Sequence, residues 1–282
     1  MSVGHRHNTG AKPPAVVESP SRIAVLMYHR VDDAKSDGES RYAVEPERFA
    51  AHMHALAQAG YRAIRIDDLT GWLEGRLPGL PEKSFVLTFD DGFLGVHDHA
   101  WPILRELNWP FTVFLVSDLI GKTDEWTRKE NPGRMGHPLM SVDHIGAMQA
   151  NGVSFHSHTR HHASLTSLDD ETLADELAGS RKILGEVLGI PAHFLAYPYG
   201  HVDERVEKAV RAAGYQAAFS TQPGFNRADV NPFRIRRLDV YGTDTAAALV
   251  RKIKLGSNEG GLSPILRYYW NRALAKLGRK AA

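Results

Sequence analysis

Short apolar runs alternate with amphipathic segments along most of this chain, and that alternation restricts the fold more than any other feature. Runs at 23–28, 61–66, 85–89, 111–116, 153–158, 193–197, 215–219 and 235–240 have the length and composition of buried strands. Helical spacing lies between most of them. Residues 47–59 carry Phe49, Met53 and Leu56 on one face and stop at Gly60. Residues 169–188 follow Ser167, with Asp170 three positions on as in a capping box, and residues 203–213 end at Gly214. Strands separated by helices imply a parallel sheet with crossovers, and seven or eight such units suit a barrel better than an open sheet. A chain of 282 residues is an ordinary length for one α/β barrel. Residues 123–140 fit neither period, and a loop that long inside a compact domain is usually functional. Residues 1–21 show no periodicity and read as a mobile arm.

Composition narrows the function. The chain has no Cys, which excludes disulfides, thiolate metal sites and a Cys nucleophile. The N-terminal stretch has no apolar h-region, so no signal peptide is expected and the expected location is cytoplasmic. The formal net charge is +1, but residues 251–282 hold eight Lys/Arg against one Glu, leaving the rest of the chain mildly acidic. Within that segment, residues 262–277 read as an amphipathic helix opened by Ser263 and Pro264. A basic amphipathic helix suits an anionic membrane surface, and it equally suits a cover for one end of a barrel. The expected division is therefore an arm (1–21), a catalytic body (22–250) and a basic tail (251–282). No nucleic-acid motif accompanies the tail.

Unusual polar clusters sit just after the expected strands. His29 follows the first, Asp90-Asp91 the third, and His156, His158, His161 and His162 end or follow the fifth. Tyr199 and Gly200 follow the sixth. In a parallel barrel all strand C-termini share one rim, where catalytic groups collect. Adjacent Asp90 and Asp91 diverge if the strand stays extended, so one could bind a metal while the other faces a substrate water. Asp-Asp-Gly is also ordinary turn chemistry. His158 and His162 share a face if the backbone turns helically. Two imidazoles and one carboxylate make a normal catalytic zinc set with positions left open. His156 could instead pair with His158 as a strand neighbour.

These residues resemble a family. Thr88-Phe89-Asp90-Asp91-Gly92, then His158-Thr159-Arg160-His161-His162, then Ala196-Tyr197-Pro198-Tyr199-Gly200 resemble, in that order, the motifs of NodB-homology polysaccharide deacetylases, carbohydrate esterase family four. The likeness runs over about 23–240, and the opening Leu26-Met27-Tyr28-His29-Arg30-Val31 is similar to the permuted branch that deacetylates poly-N-acetylglucosamine. The resemblance implies a distorted (β/α)7 barrel. It implies a metal triad of Asp91, His158 and His162, holding Zn2+ or, in some members, Co2+ or Ni2+. It implies Asp90 as general base, His29 as general acid, and the Tyr199 N–H beside Pro198 as an oxyanion donor. Two departures stand out. Ala196 occupies the place of an Arg that braces the base in many members, and Arg237 is the candidate substitute. There is also no Leu-x-His motif near the C-terminus, which makes His29 necessary as the acid.

The implied reaction is hydrolysis of an N-acetyl group on an amino sugar of a polysaccharide or lipid-linked glycan precursor. Trp126 is a candidate sugar platform or, equally, a local hydrophobic anchor. The rival readings are a deformylase or other amide hydrolase acting on a lipid-linked amino sugar, and a carbohydrate-binding relative that has lost activity.

Overall fold

The computed structural model describes residues 22–34, 39, 41–130 and 136–259. The arm at 1–21 and the amphipathic run at 262–282 lie outside the described residues. The first strand, β1 (Ala24–Tyr28), is followed by the short pair β2 (Arg30–Val31) and β3 (Ala43–Val44), then α1 (Pro46–Gln58), β4 (Arg62–Ile64) and α2 (Ile66–Leu73). Next come β5 (Ser84–Phe89), α3 (Trp101–Glu106), β6 (Thr112–Leu115), α4 (Glu125–Glu130), α5 (Val142–Gln149) and β7 (Ser154–Ser157). The last part runs α6 (Asp170–Ala174), α7 (Ser180–Leu188), β8 (Phe194–Ala196), α8 (Glu204–Ala212), β9 (Ala217–Phe219), β10 (Leu238–Asp239) and α9 (Ala246–Leu255).

Eight strands form one parallel sheet in the order β10-β1-β5-β6-β7-β8-β9, with β4 paired to β5. β5 is buried along its whole length, as a strand covered on both faces must be. One edge of β5 runs along β1. The other edge is shared in series by β4, opposite residues 84–86, and β6, opposite Thr88 and Phe89. That sharing distorts the barrel. The approach to β10 closes the ring. Ile235 pairs in parallel with Phe219 of β9, and three residues later Leu238 pairs with Leu26 of β1.

Strand alternation sorts the side chains. Leu26, Leu87, Phe89, Val113, Leu115 and Phe155 join the core shared with the surrounding helices. Val25, Val86, Phe114, Phe194, Phe219 and Ile235 fill the barrel interior. Continuing the interior faces toward the strand ends leads from Val86 through Thr88 to Asp90, and from Ile235 to Arg237. The fold thus aims its polar residues inward at one rim.

The elements depart from the sequence expectations where local hydrogen bonding competes with periodicity. The expected 61–66 strand stops at Ile64, because Asp68 accepts the Arg65 N–H at 3.1 Å and opens α2. Ser167 does not cap the long helix, since its hydroxyl is used on the Ser164 carbonyl at 2.7 Å. Asp169 caps instead, accepting from the Thr172 N–H at 2.8 Å. That helix also carries a π-turn, Asp175–Gly179, between α6 and α7. The 123–140 segment contains α4, and Asp124 ties its base together by accepting from the Thr127 hydroxyl at 2.7 Å and from the His137 N–H. The boundary expected at 250 falls inside α9, whose Leu249 and Ile253 belong to the same core as Phe49 and Met53 of α1. Lys252, one of the eight basic residues of the expected tail, is buried on Asp244 at 2.5 Å. No helix among the described residues is long and apolar enough to cross a membrane.

His156 lies in the interior rather than at the rim. Its ring packs against Phe194 and Phe114, its Nε2 meets the Ser154 hydroxyl at 3.0 Å, and its Nδ1 accepts from the His193 N–H at 3.3 Å. Burial, with His193 adding to it, lowers its pKa to about 3. The unfolded chain binds a proton below about 6.5 that the folded chain refuses, so stability falls as pH drops from there toward 3. One such proton is worth at most about 1.4 kcal/mol per pH unit. His156→Gln should therefore flatten the fall of the urea midpoint between pH 7 and 4.5 relative to wild type. Parallel pH dependences for the two proteins would show that His156 does not contribute.

Candidate active site

The rim encloses a cleft of about 440 Å3 whose walls include His29, Asp90, Asp91, His158, His162 and Tyr199. Strained backbone builds much of it. Six described non-glycine residues have positive φ, and four of them, Asp91, Thr159, His162 and Tyr199, lie in the motif loops at this rim. Such conformations cost about 1 kcal/mol or more each and persist only where surrounding contacts fix them.

Asp90 still belongs to the strand ladder, donating its N–H to the Tyr28 carbonyl at 2.9 Å. At Asp91 the chain turns left-handed, with φ 73°, and Gly92 follows at φ 82°. The extended conformation therefore ends between the two carboxylates. The strand and turn readings of Asp-Asp-Gly both apply, one residue apart. Asp90 is gripped from the far side of β1 by Arg237, just before β10, whose two terminal nitrogens donate to its two oxygens at 2.6 and 2.8 Å. Arg237 is fully buried and spends its Nε–H on the Ser220 carbonyl at 3.0 Å. Burial alone would raise Asp90, but Arg237, His158 and His29 outweigh it and hold its pKa at about 2. Ala196, which occupies the place of the bracing Arg, contributes its backbone carbonyl as acceptor to His158.

Asp91, His158 and His162 converge without a helical turn. The loop from His158 to His162 carries Thr159 at φ 67° and His162 at φ 59°, and the two imidazoles meet edge to face at 5.0 Å. One possible ligand atom from each of the three residues lies within 4.8 Å of the others. The Nε2 atoms of His158 and His162 stand 3.4 and 3.3 Å from the same Asp91 oxygen. Those separations exceed a good N–H···O bond. They match the edge of roughly 3.3 Å between ligands of a tetrahedral ion bound at about 2.0–2.1 Å. Burial lowers His158 to about 4 and His162 well below its ordinary value, so both rings are neutral near pH 7. A neutral His158 must donate from Nδ1 to the Ala196 carbonyl at 2.8 Å, which leaves the Nε2 lone pair facing Asp91. The donor set fits a divalent cation such as Zn2+.

His29 is half-buried on the cleft wall, edge to face with Tyr42 at 5.0 Å. Burial lowers its pKa, Asp90 and Asp239 oppose that, and Arg237 adds to it. Sequence reading missed Asp239, which lines the cleft two residues beyond Arg237. Strand alternation carries Arg237 and Asp239 to the same face, and that was the available signal. His161 points away from the cluster, between Glu176 at 2.6 Å and Asp118 at 3.2 Å. Pro198 is buried, whereas Tyr199 is 40% exposed and its ring lies 4.7 Å from that of His162. Trp126 lines the cleft but stacks flat on His162 at 4.4 Å and packs with Phe93, Val116, Leu119 and Leu139. One of its faces is thus committed to the protein, as a hydrophobic anchor's is.

Comparisons with known proteins agree with this geometry. Residues 78–218 match the family model for polysaccharide deacetylases. The chain is 27% identical over 224 residues to YxkH of Bacillus subtilis, a protein named among polysaccharide deacetylases, covering 79% of this chain and 73% of that one. It is 25% identical over 259 residues to the poly-β-1,6-N-acetyl-D-glucosamine N-deacetylase of Staphylococcus epidermidis, covering 83% and 84%. Among solved structures, IcaB from Ammonifex degensii superposes with a TM-score of 0.66 at 28% identity, covering 79% of this chain and 93% of that one. Motif order, barrel and matched residues lead to one assignment: the chain belongs to the polysaccharide deacetylase family of amide-bond hydrolases.

Proposed function

We propose that the chain is a divalent-cation-dependent N-deacetylase acting on N-acetylglucosamine units of a glycan. The reading is carried by one juxtaposition: an Asp-His-His donor set beside a carboxylate that Arg237 keeps ionised. Asp91, His158 and His162 would hold the cation. When bound there, Zn2+, or Co2+ or Ni2+ in its place, polarises the acetyl carbonyl and lowers the pKa of water. Asp90, ionised throughout the neutral range, takes the proton of the attacking water. Arg237 uses one lone pair on each Asp90 oxygen and leaves the others for that proton. The Tyr199 N–H donates to the carbonyl oxygen as charge develops; such a donor is worth about 3–4 kcal/mol. His29, in its protonated form, delivers a proton to the departing sugar nitrogen.

The named activities of the staphylococcal relatives support a poly-β-1,6-linked N-acetylglucosamine substrate. A lipid-linked precursor at the inner face of a membrane is the other form this substrate could take, and that form draws on the basic segment beyond α9. The test is acetate release from a polymer and from a lipid-linked amino sugar, assayed side by side. No acetate from any N-acetylated sugar would overturn the proposed function.

Three outcomes are expected. Asp91→Asn and His158→Ala should lose tight zinc binding, whereas Asp90→Asn should retain the metal and lose about 10²–10⁴ in turnover. Metal analysis with steady-state rates checks this, and the opposite pattern would reverse the roles of the two carboxylates. His29→Ala should keep its metal and lose the alkaline decline of kcat/KM, since an acid works only while protonated. Asp239→Asn should move that decline to lower pH, because a charge that raises the His29 pKa is removed. An unchanged profile in both variants would place the acid elsewhere. Finally, the full chain should float with anionic vesicles at low salt, release as salt rises and ignore neutral vesicles. Failure to float at low salt would remove the membrane reading and leave the soluble polymer.

A further inference from the structure

Glu176 is a buried carboxylate outside the cleft that the reaction does not use, and it touches the loop between the two histidine ligands. It lies in the π-turn Asp175–Gly179 and is only 4% exposed. One of its oxygens accepts two successive backbone N–H groups, from Arg160 at 2.9 Å and from His161 at 3.1 Å. The other meets the His161 Nδ1 at 2.6 Å. The carbonyls of the same loop are also taken: Ser117 N–H donates to Thr159 at 3.0 Å and Asp118 N–H to Arg160 at 3.1 Å. Ser180, four residues after Glu176, reaches the Ser157 hydroxyl at 2.8 Å, and that hydroxyl accepts the Thr159 N–H at 3.1 Å. A Cβ at Gly179 would lie 2.7 Å from Arg160, so the turn also packs closely against the loop.

The peptides of residues 159–161 are thereby fixed from both sides, and among the described residues Glu176 is the one carboxylate that accepts from them. This is the stretch that must hold two left-handed residues, Thr159 and His162. A flexible loop would spread His162 over several positions and lose its alignment with His158 and Asp91. The helix periodicity is interrupted at this point by one inserted residue, which rotates α6 relative to α7.

We propose that Glu176 is a positioning residue for the cation site: it clamps the 160 and 161 amides and so sets the place of His162. The proposal rests on the reading of Asp91, His158 and His162 as that site. Charge-assisted bonds from a carboxylate to backbone N–H groups are among the stronger hydrogen bonds available for such a task. Partners that orient metal ligands typically contribute about 10–100-fold in metal affinity.

The test measures Zn2+ affinity by chelator competition and the visible spectrum of the Co2+-loaded protein, with melts and near-UV circular dichroism of the metal-free forms. Glu176→Ala should weaken Zn2+ binding by about 10–100-fold and alter the Co2+ bands while the metal-free protein stays folded. Glu176→Gln keeps an oxygen where both amides donate and should restore affinity to within about threefold of wild type, a rescue that follows from the carboxamide's remaining acceptor. Glu176→Asp keeps the charge but withdraws the acceptor by one methylene, and it should bind more weakly than Glu176→Gln. That pair decides the matter if the alanine variant does not fold. His161→Ala removes the ring contacts to Glu176 and Asp118 but leaves both backbone N–H bonds to Glu176, and it should bind like wild type. Wild-type affinity and spectrum in both the Gln and Asp variants would overturn the clamp, as would an Asp variant that binds more tightly than the Gln variant. A wild-type protein that binds neither Zn2+ nor Co2+ would instead overturn the cation site itself.

Discussion

The ion pair between Arg237 and Asp90 holds together the parts on which the site depends. It joins the end of β5 to the segment that closes the barrel between β9 and β1, across 147 residues of chain. Both partners are buried, so removing one would leave an uncompensated charge in the interior, at a cost of about 3–5 kcal/mol. The guanidinium is held by Ser220 as well as by Asp90, so its fork has little freedom. Two residues further on, in β10, the same segment brings Asp239 to the cleft, where its charge opposes the lowering of the His29 pKa by burial. One short segment, 237–239, therefore sets the charge state of a carboxylate and biases that of an imidazole. The closure of the barrel and the electrostatics of the cleft cannot be separated.

The strain at the rim has a related explanation. Asp91, Thr159, His162 and Tyr199 adopt backbone conformations that a side chain normally avoids. Each is stabilised by neighbours rather than by its own preference. Asp91 sits between a strand residue bonded to β1 and a glycine that accepts the next turn. The 159–162 loop is held by the β6–α4 connection on one side and by the π-turn on the other. Tyr199 follows Tyr197, whose hydroxyl is anchored on the Phe233 carbonyl at 3.0 Å. Left-handed turns let three short loops bring side chains to one point from separate strands.

Much of this was legible in the sequence because buried parallel strands must be apolar throughout. The eight runs announced themselves for that reason, and polar residues directly after them marked the rim. What was hidden follows from the physics of each feature. A π-turn adds one residue to a helix without a compositional sign, so 169–188 read as unbroken. Ser167 and Asp169 can both cap, and only the competing Ser164 contact decides between them. The spacing of His158 and His162 suggested a helical face, yet convergence comes from left-handed loop residues that periodicity does not describe. The Ala196 carbonyl is backbone, so no residue type could have signalled its bond to His158. Arg237 was found through family likeness rather than periodicity, since nothing local connects it with Asp90. Charge counting likewise does not tell surface from interior: Lys252, one of the eight basic residues of 251–282, is an interior partner of Asp244.

Two neighbouring carboxylates would ordinarily share a proton, because like charges in a poorly solvated cleft raise one another's pKa. Here the two face different surroundings. Asp90 is neutralised by a bidentate guanidinium that the fold supplies permanently. Asp91 turns its oxygen toward two imidazoles that burial keeps neutral, an arrangement that favours a cation and provides no charge of its own. The change from extended to left-handed backbone between the two residues is what separates these environments. Had the strand continued, one carboxylate would point into the surrounding core. Had both faced Arg237, a single guanidinium would have to balance two charges. The Asp-Asp-Gly turn is therefore both a structural device and the origin of the chemical difference between adjacent identical side chains.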